Sequence, residues 1–140
     1  MCKWNLMNKS PPIRVALVSS PGHICDATCI TLTATEGLHL VAIASGALTA
    51  TKLIQTVQPD LVLVDTSLPD NEAIALIRWM TDQRLGIPCL AAVRSSAHCE
   101  QALDSGASVA VRRDELVTAL NTFVRNHFQR AAGADVTGQS

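Results

Sequence analysis

Pro59-Asp60-Leu61-Val62-Leu63-Val64-Asp65-Thr66-Ser67-Leu68-Pro69 sets a four-residue apolar run between two carboxylates and closes on a proline. An uninterrupted apolar run of that length fits a strand buried on both faces, as in a parallel sheet covered by helices. Ligands and chemistry in open α/β sheets gather outside the carboxyl ends of such strands. Asp65 stands at that end, so it is the first candidate functional residue.

The same alternation continues on both sides. Upstream, Ile13-Arg14-Val15-Ala16-Leu17-Val18 predicts a first strand, stopped by Ser19-Ser20-Pro21-Gly22, where serine before Pro-Gly suits a helix cap. A helix is expected from His23 to about Thr35, with Ile24, Ala27, Thr28, Thr31 and Leu32 on its inner face; the threonines make it intrinsically weak. Leu38 to Ala44 predicts a second strand, and Thr49 to Gln58 a helix carrying Leu53, Ile54 and Val57 before Pro59. Downstream, Asn71 to Gln83 predicts a helix that buries Ile74, Ile77 and either Leu76 or Met80, closed by Gly86. Cys89 to Val93 predicts a fourth strand, Ser96 to Ser105 a helix closed by Gly106, and Ser108 to Val111 a fifth strand. A last helix is expected from Asp114 to about His127, with Leu116, Val117, Leu120 and Val124 inward. Five strands each followed by a helix over short connections require right-handed crossovers, hence a doubly wound α/β fold with a five-stranded parallel sheet. The folded unit is expected over residues 13–127, between a flexible extension at 1–12 and a flexible tail at 128–140.

Composition narrows the function. The chain has 140 residues, 48% of them apolar and 16% charged, enough for one domain with a real core. A net charge of −1 provides no field for nucleic acid or an anionic membrane. No run reaches the roughly 18 apolar residues of a membrane span, and Trp4, Asn5, Asn8 and Pro11 interrupt the start where a signal peptide would be continuous, so a cytoplasmic location is expected. Five cysteines without scaffold spacing suit a reducing compartment. With no tyrosine, two Phe and two Trp, a stacking platform for bases is excluded. His23, Cys25 and Cys29 lack a fourth ligand for zinc, and redox sensing at Cys25 or Cys99 would need a lowered thiol pKa. His98 and His127 sit at helix ends, an ordinary place for them.

In order and spacing, residues 13–127 resemble the receiver domain of bacterial response regulators. The resemblance is carried by Asp65, Leu68-Pro69, Ile87-Pro88 and Gly106-Ala107-Ser108. It implies the flavodoxin-like strand order 2-1-3-4-5, no enzyme activity beyond turnover of the domain's own aspartyl phosphate, and Asp65 as phosphoacceptor from a sensor histidine kinase. It also implies a dimer or partner face on the fourth helix, fifth strand and last helix, here carrying Asp104, Ala110, Arg112, Asp114 and Arg125 alongside Arg113.

The departures from the pattern concern the chemistry. The two acids that hold Mg²⁺ in the family correspond to Ser19 and Ser20, which leaves Asp65 a poor magnesium site by itself. The hydroxyl residue ending the fourth strand corresponds to Val93, the switch aromatic to Ala110, and the Asp-Gly after the proline to Glu72-Ala73. The family lysine corresponds to Arg113, a planar fork in place of a point charge and a possible partner for Asp65. Two signalling readings follow: a receiver phosphorylated at Asp65, and a pseudo-receiver that binds partner proteins without phosphorylation. A flavodoxin-like cofactor-binding enzyme is the third, but Ser19 to Gly22 and Ser45 to Leu48 lack a multiple-glycine phosphate cradle.

Overall fold

The computed structural model describes residues 12–66, 68 and 71–137, with 128–137 as backbone alone. Strands β1 (Ile13–Val18), β2 (Leu38–Ala44), β3 (Leu61–Asp65), β4 (Cys89–Val93) and β5 (Val109–Arg112) alternate with helices α1 (His23–Ala34), α2 (Ala47–Val57), α3 (Glu72–Asp82), α4 (Ser96–Ser105) and α5 (Leu116–Thr137). All pairings are parallel and the sheet order is β2-β1-β3-β4-β5. The expected doubly wound fold and strand order are therefore the observed ones.

Period-two alternation divides the strands between two cores. Val15, Leu17, Leu61, Leu63, Leu90 and Ala92 face Cys25 and Leu32 of α1 and Leu116 and Leu120 of α5. Ala16, Val18, Val62, Val64, Ala91 and Val93 face α2, α3 and α4 through Ile54, Leu76, Ile77 and Ala102. β2 changes sides midway. Its register shifts opposite Val15 and Ala16, so Leu38 and Leu40 join the first core while Ala42 and Ala44 join the second.

Several expectations are corrected by packing. On α1 the buried side chains are Cys25 and Leu32, with Cys29 against the same core, and Ile24 is 42% exposed. Cysteine acts here as the small hydrophobe of the stripe. The threonines of α1 return their hydroxyls to the carbonyls four residues back, Thr28 to Ile24 at 2.8 Å and Thr31 to Ala27 at 3.0 Å. α3 buries Leu76 and Met80 together with Ile77. It ends with Arg84, before Gly86, in the left-handed region. On α5, Val117 points outward at 53% exposure, and Ala119, Phe123 and Val124 pack inward with Leu116 and Leu120. A 3₁₀ turn at Arg113–Glu115 precedes α5, whose backbone stays helical to Thr137, ten residues beyond the expected end. Ala131, Ala132 and Ala134 are strong helix formers and favour that continuation. Residues 1–11, most of the expected extension, and Pro69 lie outside the described residues. No described helix is long and apolar enough to cross a membrane.

Cys89 opens β4 at 3% exposure, and burial pushes its thiol up to about 12. Above the ordinary value of 9.0 the unfolded chain releases this proton while the fold retains it, so unfolding is favoured. The contribution is fully present below pH 9 and disappears as pH rises towards about 12, at roughly 1.4 kcal/mol per pH unit. Urea midpoints measured from pH 8 upward are expected to fall less steeply in Cys89→Ala than in the parent. Parallel curves would show that Cys89 does not carry the alkaline loss.

Candidate functional site

Three side chains meet beyond the carboxyl end of the sheet because strand parity carries them to one face. Ser19 continues the Val15, Leu17 series, Asp65 the Leu61, Leu63 series, and Arg113 follows Val111 by two, all on the α1 and α5 side. Asp65 is buried at 5% exposure. The guanidinium of Arg113 donates through Nη2 to Asp65 Oδ1 in a close ion pair. Ser19 Oγ lies 3.2 Å from Asp65 Oδ2 and 3.3 Å from the Ser20 carbonyl, so its one proton is shared between them. Each oxygen of the carboxylate thus has a side-chain partner.

Ser19 is no helix cap. It is 2% exposed and turned to Asp65, while α1 begins at Gly22 without any side-chain cap. Burial of a strand-end carboxylate makes a neighbouring hydroxyl more useful as its donor than as a cap exposed to water. Ser20 supplies its carbonyl. Val93 is fully buried in the core beneath α2, α3 and α4 and brings no polar atom to the crevice. Ser95, the nearest hydroxyl in sequence, caps α4: its Oγ accepts from His98 N at 3.5 Å and lies 2.8 Å from His98 Nδ1. Thr66 turns its hydroxyl to the Ala92 carbonyl at 3.0 Å.

One polar contact had no counterpart in the sequence reading. Glu72 Oε1 accepts from Ala47 N at 2.8 Å, capping α2 from the first turn of α3. A Cβ at position 46 would come within 3.0 Å of that oxygen, which accounts for Gly46 at the loop. Only the signature of a cap without a local acceptor, Ser45-Gly46-Ala47, hinted at a remote one.

The remaining candidates lie elsewhere. Asp104, Arg112, Asp114 and Arg125 are exposed and Ala110 is half-buried. Arg112 pairs with Asp114 at 3.6 Å, an exposed contact that contributes little. Burial first, and Cys25 second, raise the Cys29 thiol, which opposes redox reactivity there. Among the described residues no three His, Cys, Asp or Glu side chains converge as a metal site. Among the described residues the donors around Asp65 do not fit Mg²⁺ either: one carboxylate, a neutral hydroxyl, and a guanidinium already set against the carboxylate. A second cation beside Arg113 would be repelled by it.

No family model matches the chain, and no curated protein does. Solved structures do. A LuxR-family two-component response regulator from Aurantimonas is 25% identical with a TM-score of 0.73, covering 82% of this chain and 86% of that one. The signal receiver domain of NarL from Mycobacterium tuberculosis is 20% identical at TM-score 0.73, covering 86% and 98%. The response regulator domain of CheB from Thermotoga maritima is 15% identical at TM-score 0.69, covering 84% and 97%.

Proposed function

We propose that this chain, which has the fold of response-regulator receiver domains, acts as a pseudo-receiver: a protein-interaction module of two-component signalling that works without phosphorylation of Asp65. The observation that supports this reading is the double engagement of Asp65, by Arg113 on one oxygen and Ser19 on the other. An in-line phosphoryl transfer needs a free carboxylate oxygen and a metal to neutralise the incoming charge. Here the charge compensation is built into the chain as Arg113. The phosphoacceptor reading requires Arg113 to release Oδ1 and a magnesium ion to be held where Asp65 is the one carboxylate among the described residues.

Signalling then rests on surface contacts. Leu103 on α4 and Val117 on α5 are exposed at 47% and 53%, and with the exposed Arg112–Asp114 pair they offer apolar and charged groups to a signalling partner, a histidine kinase or a second copy among them. Titration with beryllofluoride and Mg²⁺, followed by amide shifts in the parent and in Asp65→Ala, tests the proposal. No saturable shift around residues 65 and 113 is expected in either. Saturable binding that disappears in Asp65→Ala would assign Asp65 as a working phosphoacceptor instead.

A further inference from the structure

At the opposite end of the sheet from Asp65, a groove of about 690 Å³ opens between β5 and α5. Val109, Val111 and Phe123 line it with Leu90, and Asp60 stands at its lip. The surface is mostly apolar, and Val109 is left 38% exposed. β5 is the edge of the sheet, and among the described residues no further strand pairs with it.

We propose that the segment Cys2–Met7 of the same chain docks in this groove, with Trp4 and Leu6 against Val109 and Phe123. Three observations converge on that occupant. First, the chain enters β1 at the groove's lip: Arg14 N donates to Asp60 Oδ2 at 2.9 Å, and Asp60 N returns a bond to the Arg14 carbonyl at 2.8 Å. Second, the reach suffices. β1 and β5 are three strand spacings apart, about 14 Å, whereas the eight steps along the chain from Trp4 to Pro12 span at most about 26–29 Å. Third, Cys2-Lys3-Trp4-Asn5-Leu6 alternates apolar and polar residues, so an extended segment presents one apolar face, and Lys3 and Lys9 complement the Asp60 carboxylate. A tethered ligand of this kind binds at high effective concentration, so modest contacts are enough.

Trp4 itself reports the outcome. The full-length Trp79→Phe variant leaves Trp4 as the one tryptophan, since the chain has two. Its emission is expected to be blue-shifted from that of the urea-unfolded chain and shielded from acrylamide, independently of protein concentration. Val109→Lys and Thr122→Arg, both at exposed groove positions, are expected to raise the quenching constant severalfold with far-UV circular dichroism unchanged. Emission already equal to that of the unfolded chain would overturn the proposal, as would shielding that neither groove variant alters. Shielding that is lost on dilution would place the segment in a second copy and overturn docking within one chain.

Discussion

Arg113→Met is expected to lower folding stability by about 2–3 kcal/mol. Removing one member of a buried ion pair typically costs about 3–5 kcal/mol, because the other charge remains desolvated, and partial access of water to this site reduces that figure. Asp65 has 7% of its side chain exposed and Arg113 has 27%. Ser19, a neutral donor that shares its proton with the Ser20 carbonyl, is a weak replacement. The loss is therefore expected to be smaller in the Asp65→Asn background, where no buried charge is left. A double-mutant cycle in urea should give a coupling of about 1–3 kcal/mol. Arg113→Lys should retain part of the stability, keeping the charge and losing the planar fork. Additive effects of Arg113→Met and Asp65→Asn would mean that the pair does not compensate the carboxylate, and the basis for the pseudo-receiver reading would go with it.

Gly106→Ala is expected to cost about 3–5 kcal/mol, from backbone strain and overpacking together. Gly106 ends α4 at φ 121°, a region that side chains avoid. Its missing Cβ would lie 1.9 Å from Thr81 Oγ1 and 3.2 Å from Thr81 Cγ2. Thr81 cannot move away cheaply, since its hydroxyl bonds the Ile77 carbonyl at 3.0 Å and reaches the Ser105 carbonyl at 3.4 Å. The two contributions separate by experiment. In a Thr81→Ala background the contacts with Oγ1 and Cγ2 vanish, a 3.0 Å approach to the Cβ of residue 81 stays, and about 1–3 kcal/mol of backbone strain is expected to remain with it. Equal losses in both backgrounds would show that α3 and α4 are not in steric contact at this point.

The Asp65 site shows where the sequence was legible. Asp65 was recognisable because an apolar run ended on it, whereas Arg113 entered as its partner only through the resemblance to receiver domains, at the position of the family lysine. Ser19 was misread as a cap. The signal that places it correctly is parity with Val15 and Leu17, which outranks the local serine-proline-glycine chemistry once Asp65 is buried beside it. Val117 was misassigned for a related reason. Leu116, Leu120 and Val124 define a helical stripe that one hydrophobic residue next to Leu116 cannot share, and only the packed sheet shows which side is inside.

Sequence by itself determined the elements, their order and the parallel sheet, because hydrophobic period and turn chemistry are properties of neighbours along the chain. The identity of Asp65 as the acid at the carboxyl end of β3 belongs to the same class. Tertiary structure alone decided what surrounds it. Ser19 and Arg113 stand 46 and 48 residues away, and Glu72 caps a helix whose first residue lies 25 positions back. Contacts at such separations depend on strand order and register, which fold several short segments into one crevice.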